Sequence, residues 1–133
     1  MITGVIFGCF DLFHAGHFNA LKECSRHCDY LYVCVLSDEA VKKYKRTPIW
    51  GQDERRKKID ELDFVDSVLI TDRKIIFGKY VDIDVFFVSE DYKGKRLFCV
   101  PESRYDDIIW IPYTKGVSTS SLIEKSKCKE FIE

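Results

Sequence analysis

Ile2-Thr3-Gly4-Val5-Ile6-Phe7-Gly8-Cys9-Phe10-Asp11-Leu12-Phe13-His14-Ala15-Gly16-His17 decides the fold. Its opening, residues 2–7, is short, almost wholly apolar and rich in β-branched side chains, as expected of a strand buried on both faces of a parallel sheet. Gly8 ends that run. From Ala15 the apolar residues Ala15, Phe18, Ala20, Leu21 and Cys24 recur at helical spacing, with Lys22, Glu23 and Arg26 between them, which predicts an amphipathic helix over residues 15–27. Strand, glycine turn and helix form the first unit, and Tyr30-Leu31-Tyr32-Val33-Cys34-Val35-Leu36 supplies a second buried strand.

The alternation continues outward. Ser37-Asp38-Glu39 suits the start of a short helix, residues 42–48 read as a basic loop closed by Pro48, and residues 52–62 as a helix. Further strands are expected at residues 65–70, 84–88 and 108–111, with a helical stretch over residues 73–80 between the first two. Ser118 is a good N-cap for a last helix whose apolar side carries Leu122, Ile123, Cys128 and Phe131. Such alternation predicts a Rossmann-like three-layer αβα sandwich with a mostly parallel five-stranded sheet and right-handed crossovers. Residues 1–133 are expected to form a single domain. Ligands of such sheets bind beyond the carboxyl ends of the strands, where the strand order reverses.

Composition narrows the function classes. The chain has 133 residues, 46% hydrophobic and 32% charged, with 7 Gly and 3 Pro, which excludes disordered and collagen-like chains. Its 21 basic residues against 22 acidic ones give a net charge of -1, so no overall field holds a nucleic-acid backbone. Basic and aromatic residues are not interleaved in a nucleic-acid recognition motif. The N-terminus has neither a basic signal region nor a small-residue cleavage site, and no apolar run spans a bilayer; a cytoplasmic protein with no membrane partner is expected. The six cysteines are then expected as reduced thiols. Cys24 and Cys28 share a helical face around His27, but no second pair stands at zinc-site spacing, so no metal centre is expected.

Residues 8–17 join strand to helix, where backbone N–H groups and the helix dipole favour an anion. His14 and His17 project from one side of the first helical turn, and Gly16 admits a bulky ligand close to the backbone. Two histidines can equally serve as a partly exposed helix start, but two of the chain's three fall at this one junction. The hydroxyls of Ser118-Thr119-Ser120-Ser121 suit either phosphate binding or an ordinary N-cap. The cations Lys42, Lys43, Lys45 and Arg46, followed by Arg55-Arg56-Lys57-Lys58, suit a solvated face or a loop that closes over a triphosphate. Glu90-Asp91-Tyr92 ends a strand, where acids bind base or ribose groups or simply make a polar turn.

Gly8-x-Phe10-Asp11-x-x-His14-x-Gly16-His17 resembles the HxGH signature of the nucleotidyltransferases, and in its wording the cytidylyltransferases. Tyr113-Thr114-Lys115-Gly116-Val117-Ser118-Thr119-Ser120 is similar to the family's R-T-x-G-x-S-T-T stretch, and residues 83–95 are similar to the region after strand four of glycerol-3-phosphate cytidylyltransferases. The resemblance implies an enzyme that transfers CMP from CTP to a small phosphorylated alcohol, glycerol 3-phosphate above all, with release of pyrophosphate. It implies His14, His17, Lys45 and Arg46 as catalytic groups. Nucleotide binding falls to Gly8, Cys9, Phe10, Asp11, Gly16, Arg55, Asp91, Tyr113, Thr114, Gly116, Ser118, Thr119 and Ser120, and substrate binding to Lys45 and Lys74. Mg²⁺ bound with the triphosphate and a homodimer are also implied.

At two positions the chain departs from the family: Asp63 and Tyr113 stand where basic residues are usual. Arginine contacts to phosphate are the strong ones, so these changes bear on how the acceptor is held, with Arg55, Arg56 or Arg104 as replacements. Adenylyl transfer on the same HxGH scaffold to another phosphoester, and a weakly active or inactive nucleotide-binding domain, are the alternatives.

Overall fold

The computed structural model describes residues 1–44, 46–72, 82–95, 97 and 100–112. Their elements run β1 (Thr3–Gly8), α1 (Ala15–Ser25), β2 (Tyr30–Leu36), α2 (Asp38–Tyr44), α3 (Gln52–Asp60), β3 (Ser67–Thr71), β4 (Val85–Ser89) and β5 (Ile108–Ile111), with 3-10 turns at Glu90–Tyr92 and Glu102–Asp107. The five strands lie in the order β3-β2-β1-β4-β5, and every neighbouring pair is parallel. This is the Rossmann-like α/β architecture that the alternation predicts. The expected helices over residues 73–80 and after Ser118 lie outside the described residues.

Both sheet faces are covered, which explains why the strands are continuous apolar runs rather than alternating ones. On one face Ile6, Leu31, Val33, Val35, Val68, Phe87 and Ile111 pack with Leu21 and Cys24 of α1 and Ile59 of α3. On the other, Val5, Cys34 and Phe86 pack with Ile83 and Val100. Gly4 is required by the first of these cores: a Cβ there would collide with the Phe87 ring of the adjoining strand. α2 covers the top of β2 by burying Ala40 and Val41 against Cys9 and Leu36.

Three aspartates secure the N-terminal edge of the sheet. Asp29, just before β2, accepts the Ile2 amide at 2.6 Å; Asp84, just before β4, accepts that of Thr3 at 2.8 Å; Asp66, just before β3, accepts that of Leu31 at 2.8 Å. Each carboxylate satisfies an amide at the start of the neighbouring strand.

The sequence-based boundaries need small corrections. α1 stops at Ser25 because the amides of Arg26 and His27 turn to the carbonyls of Glu23 and Cys24, three residues back. α3 stops at Asp60 for the same reason, since the Leu62 amide donates to the Ile59 carbonyl. Lys42 and Lys43, expected in a loop, form the last turn of α2, where they complement the helix dipole. Cys9, Cys24, Cys28 and Cys34 form no disulfide. The Cys28 thiol donates to the Cys24 carbonyl at 3.4 Å, and among the described residues no cluster of three or more His, Cys, Asp or Glu is arranged for a metal. No described helix is long and apolar enough to cross a membrane.

Candidate active site at the point where strand order reverses

β1 has β2 on one side and β4 on the other, so the chain changes direction across the sheet between β1 and β4. There the ladder is incomplete. β1 pairs with β2 as far as Gly8↔Val35, but with β4 only as far as Ile6↔Phe87, so the last two residues of β1 and β4 part at their carboxyl ends. That divergence is where ligands of open α/β sheets bind. Residues 9–17 leave from one lip, and the turn carrying Asp91 from the other.

The loop after β1 is conformationally costly. Phe10 and Leu12 take left-handed φ values of 57° and 49°, each about 1–2 kcal/mol above the ordinary conformation for residues with a Cβ. Gly8 allows the Phe10 ring to fold back over the strand end, since a Cβ there would lie 2.8 Å from two of its ring atoms. Between the two left-handed residues, the Asp11 carboxylate is fully buried and accepts from Leu12 N at 3.0 Å, Arg46 Nη1 at 2.7 Å, Ile49 N at 2.8 Å and Trp50 N at 2.8 Å.

The two histidines then start α1 as a reciprocal cap. His14 is the N-cap, and its Nδ1 accepts from Gly16 N at 3.0 Å and His17 N at 3.4 Å; His17 Nδ1 in turn accepts from His14 N at 3.3 Å. The rings stack with centroids 3.7 Å apart and planes 19° from parallel, with the Phe10 and Phe13 rings packed on His17 at 5.4 and 5.5 Å. With each Nδ1 accepting an amide, the hydrogen-bond pattern assigns the proton of each neutral ring to Nε2. The outcome is a pair of Nε2–H donors fixed by the helix start, a chemistry suited to oxygens that gain negative charge.

The structure brings together Gly8, Cys9, Phe10, Asp11, His14, Gly16 and His17 and sets Asp91, exposed, on the neighbouring strand end. Two expected phosphate-binding cations are placed differently. Arg46, expected over the triphosphate, has its side chain 2% exposed in an ion pair with the 0% exposed side chain of Asp11. Arg55, expected on the nucleotide, is also fully buried: Nε donates to Trp50 O at 3.0 Å, Nη1 to Cys9 O at 2.9 Å and Leu36 O at 2.7 Å, and Nη2 to Asp38 Oδ1 at 2.7 Å. Both guanidiniums face inward because protein acceptors replace the hydration they lose: the buried Asp11 carboxylate for Arg46, and three carbonyls with the partly exposed Asp38 carboxylate for Arg55. Asp11 is correspondingly held by the protein's own amides and by Arg46.

Lys45, Lys74, Tyr113, Thr114, Gly116, Ser118, Thr119 and Ser120 lie outside the described residues, and exposed Asp63 precedes β3 at the N-terminal end of that strand. Asp38 and Trp50 escape sequence reasoning. Arg55 did carry a signal: with Ile59 and Leu62 it forms an i, i+4, i+7 stripe, the helix face that turns inward.

Comparison with known proteins agrees with this geometry. A family model described as cytidylyltransferase-like matches residues 5–125. A glycerol-3-phosphate cytidylyltransferase of Bacillus spizizenii is 31% identical over 121 residues, covering 89% of this chain and 92% of that protein. A bifunctional protein HldE of Campylobacter concisus is 36% identical over 124 residues, covering 90% of this chain but 26% of the relative, so the chain spans about a quarter of that longer protein. Among solved structures, a lipopolysaccharide core biosynthesis protein from Thermoplasma volcanium superposes with a TM-score of 0.72 at 25% identity, over 86% of this chain and 99% of that one.

Proposed function

Because this chain belongs to the cytidylyltransferase-like family of nucleotidyltransferases, we propose that it transfers CMP from CTP to a small phosphorylated alcohol, glycerol 3-phosphate first among them. The observation that supports the reading most directly is the stacked His14–His17 pair, with its Nε2–H donors held at the strand-order reversal. The likeness to a glycerol-3-phosphate cytidylyltransferase, end to end, supports the acceptor.

In this reading an oxygen of the acceptor phosphate, already anionic at neutral pH, attacks the α-phosphorus of CTP in line. A P–O bond forms there while the bond to the β-phosphate breaks, and its electron pair leaves with pyrophosphate. No base is needed to activate the nucleophile, so catalysis is positioning and charge stabilisation. His14 and His17 donate through Nε2–H to oxygens whose charge grows in the transition state. Triphosphate oxygens would ligate Mg²⁺, which would supply charge neutralisation there and need few or no protein carboxylates.

A second reading is adenylyl transfer from ATP to another phosphoester such as a sugar phosphate; the likeness to a bifunctional HldE protein and to a lipopolysaccharide core biosynthesis protein shows that the scaffold is not confined to glycerol-3-phosphate cytidylyltransferases. Pyrophosphate release separates the two when CTP and ATP are crossed with glycerol 3-phosphate, phosphocholine, phosphoethanolamine and a hexose phosphate, with His17→Ala as the blank. Turnover with CTP and glycerol 3-phosphate is the expected result. Turnover with ATP alone overturns the cytidylyl reading, and CTP binding without turnover selects an inactive nucleotide-binding domain. Sedimentation tests the homodimer that the family likeness suggests.

A further inference from the structure

The two buried charges of the site meet on one residue. Trp50 donates its N–H to Asp11 Oδ1 at 2.8 Å and accepts from Arg55 Nε through its carbonyl at 3.0 Å, so both its peptide groups are held, one by a buried anion and the other by a buried cation. The same two side chains grip the loop after β1. Arg55 Nη1 takes the Cys9 carbonyl at 2.9 Å, and Asp11 lies within that loop. Nη1 also takes the Leu36 carbonyl at the end of β2, and Nη2 the Asp38 carboxylate at the start of α2.

We propose that Arg55 is a positioning residue for the histidine pair: with Asp11 it clamps Trp50, binding residues 46–51 to the loop at 9–12 and holding that loop in the shape that delivers His14. The inference rests on the transferase reading for its kinetic consequence but not for its structural one. Two observations converge on it. The loop carries two left-handed residues, Phe10 and Leu12, on either side of Asp11, and such conformations persist only where the surroundings over-determine them. Arg55 is fully buried, yet its four strong bonds go to three carbonyls and one carboxylate drawn from β1's exit, β2's exit, α2 and the 46–51 segment. Its fork reaches all of them at once, which an ammonium cannot do. Arg55 is therefore where four separate backbone segments converge, directly beneath the loop that presents the histidines.

The test uses the intact protein and two readouts. In Arg55→Lys, the charge remains but the fork is lost. Hydrogen exchange at the Ile49 and Trp50 amides is expected to quicken about tenfold or more while Val5 and Val33 stay protected. CTP affinity is expected to hold within about threefold while kcat falls about 10- to 100-fold, the cost of misplacing a reacting group by about 1 Å. Asp38→Asn weakens the same guanidinium from the partly exposed side, and gives the same pattern at smaller amplitude should Arg55→Lys not fold. Glu54→Ala, exposed on the same helix, leaves both readouts unchanged. Wild-type exchange at Trp50 in both Arg55→Lys and Asp38→Asn overturns the clamp. Faster exchange with wild-type kcat overturns its role in positioning. A wild-type protein silent toward every nucleotide and acceptor defeats the transferase reading, while the exchange readout still decides the clamp.

Discussion

His14 and His17 cap each other: His14 Nδ1 takes the amide of His17, His17 Nδ1 takes the amide of His14, and their rings stack 3.7 Å apart. Each imidazole therefore has a structural nitrogen and a chemical one. Replacing His14 by Ala is expected to remove both functions, with about 1 kcal/mol of stability lost with the cap and about a hundredfold in kcat with the donor. Asn at position 14 caps well, and Gln at position 17 completes a capping box. The pair His14→Asn and His17→Gln should then melt near the wild type yet remain as slow as His14→Ala. Full activity in that variant would exclude the histidines from the chemistry.

The Asp11–Arg46 pair makes a different demand. Both side chains are buried, and the carboxylate also holds two amides of the 46–51 segment. Asp11→Ala takes from the buried guanidinium the carboxylate that stands 2.7 Å away, and is expected to cost about 3–5 kcal/mol in chemical denaturation. Arg46→Met, which removes the positive charge but keeps much of the volume, leaves Asp11 its amide partners and should cost less. Equal losses would show that the charge pairing is immaterial.

A methyl group at Gly4 has nowhere to go. The Phe87 ring occupies its place, and Val85 Cγ2 stands 3.1 Å from the same point. Gly4→Ala is expected to destabilise by about 1–3 kcal/mol through overpacking, and a second substitution, Phe87→Leu, should recover part of that loss. Additive losses in the double variant would contradict the contact.

Burial, reinforced by the Asp66 carboxylate, pushes the Cys28 thiol up from 9.0 to about 11. The folded chain thus keeps a proton that the unfolded chain releases. The stabilisation is complete below about pH 9 and drains away as pH rises toward 11. Melting temperature should fall over that window, and Cys28→Ser should flatten the fall. At pH 8 the small thiolate fraction predicts alkylation of Cys28 roughly a hundredfold slower than that of an exposed cysteine.

Much of the scaffold was legible because it depends on local pattern. β2 and β5 begin and end where the apolar runs do, and the glycine turn and histidine pair fall where strand gives way to helix. Helix ends were less legible, since the residues after α1 and α3 still look helical and only the switch to bonds three residues back stops them. The fates of Arg46 and Arg55 were least legible. A charged side chain in a basic run is ordinarily solvated, and what buries these two is the convergence of Asp11, Cys9, Leu36 and Trp50, a tertiary fact absent from any one window. The Arg55–Ile59 spacing was the one local trace of it.

Asp29, Asp66 and Asp84 have a consequence beyond their own bonds. They stitch the N-terminal edge of the sheet from strand to strand, whereas the opposite edge is left to loops where β1 and β4 part. One hem is sewn and the other is free to be retailored. A chain built this way can exchange the residues beyond Ser89 while the seam at the far edge keeps the strands in register.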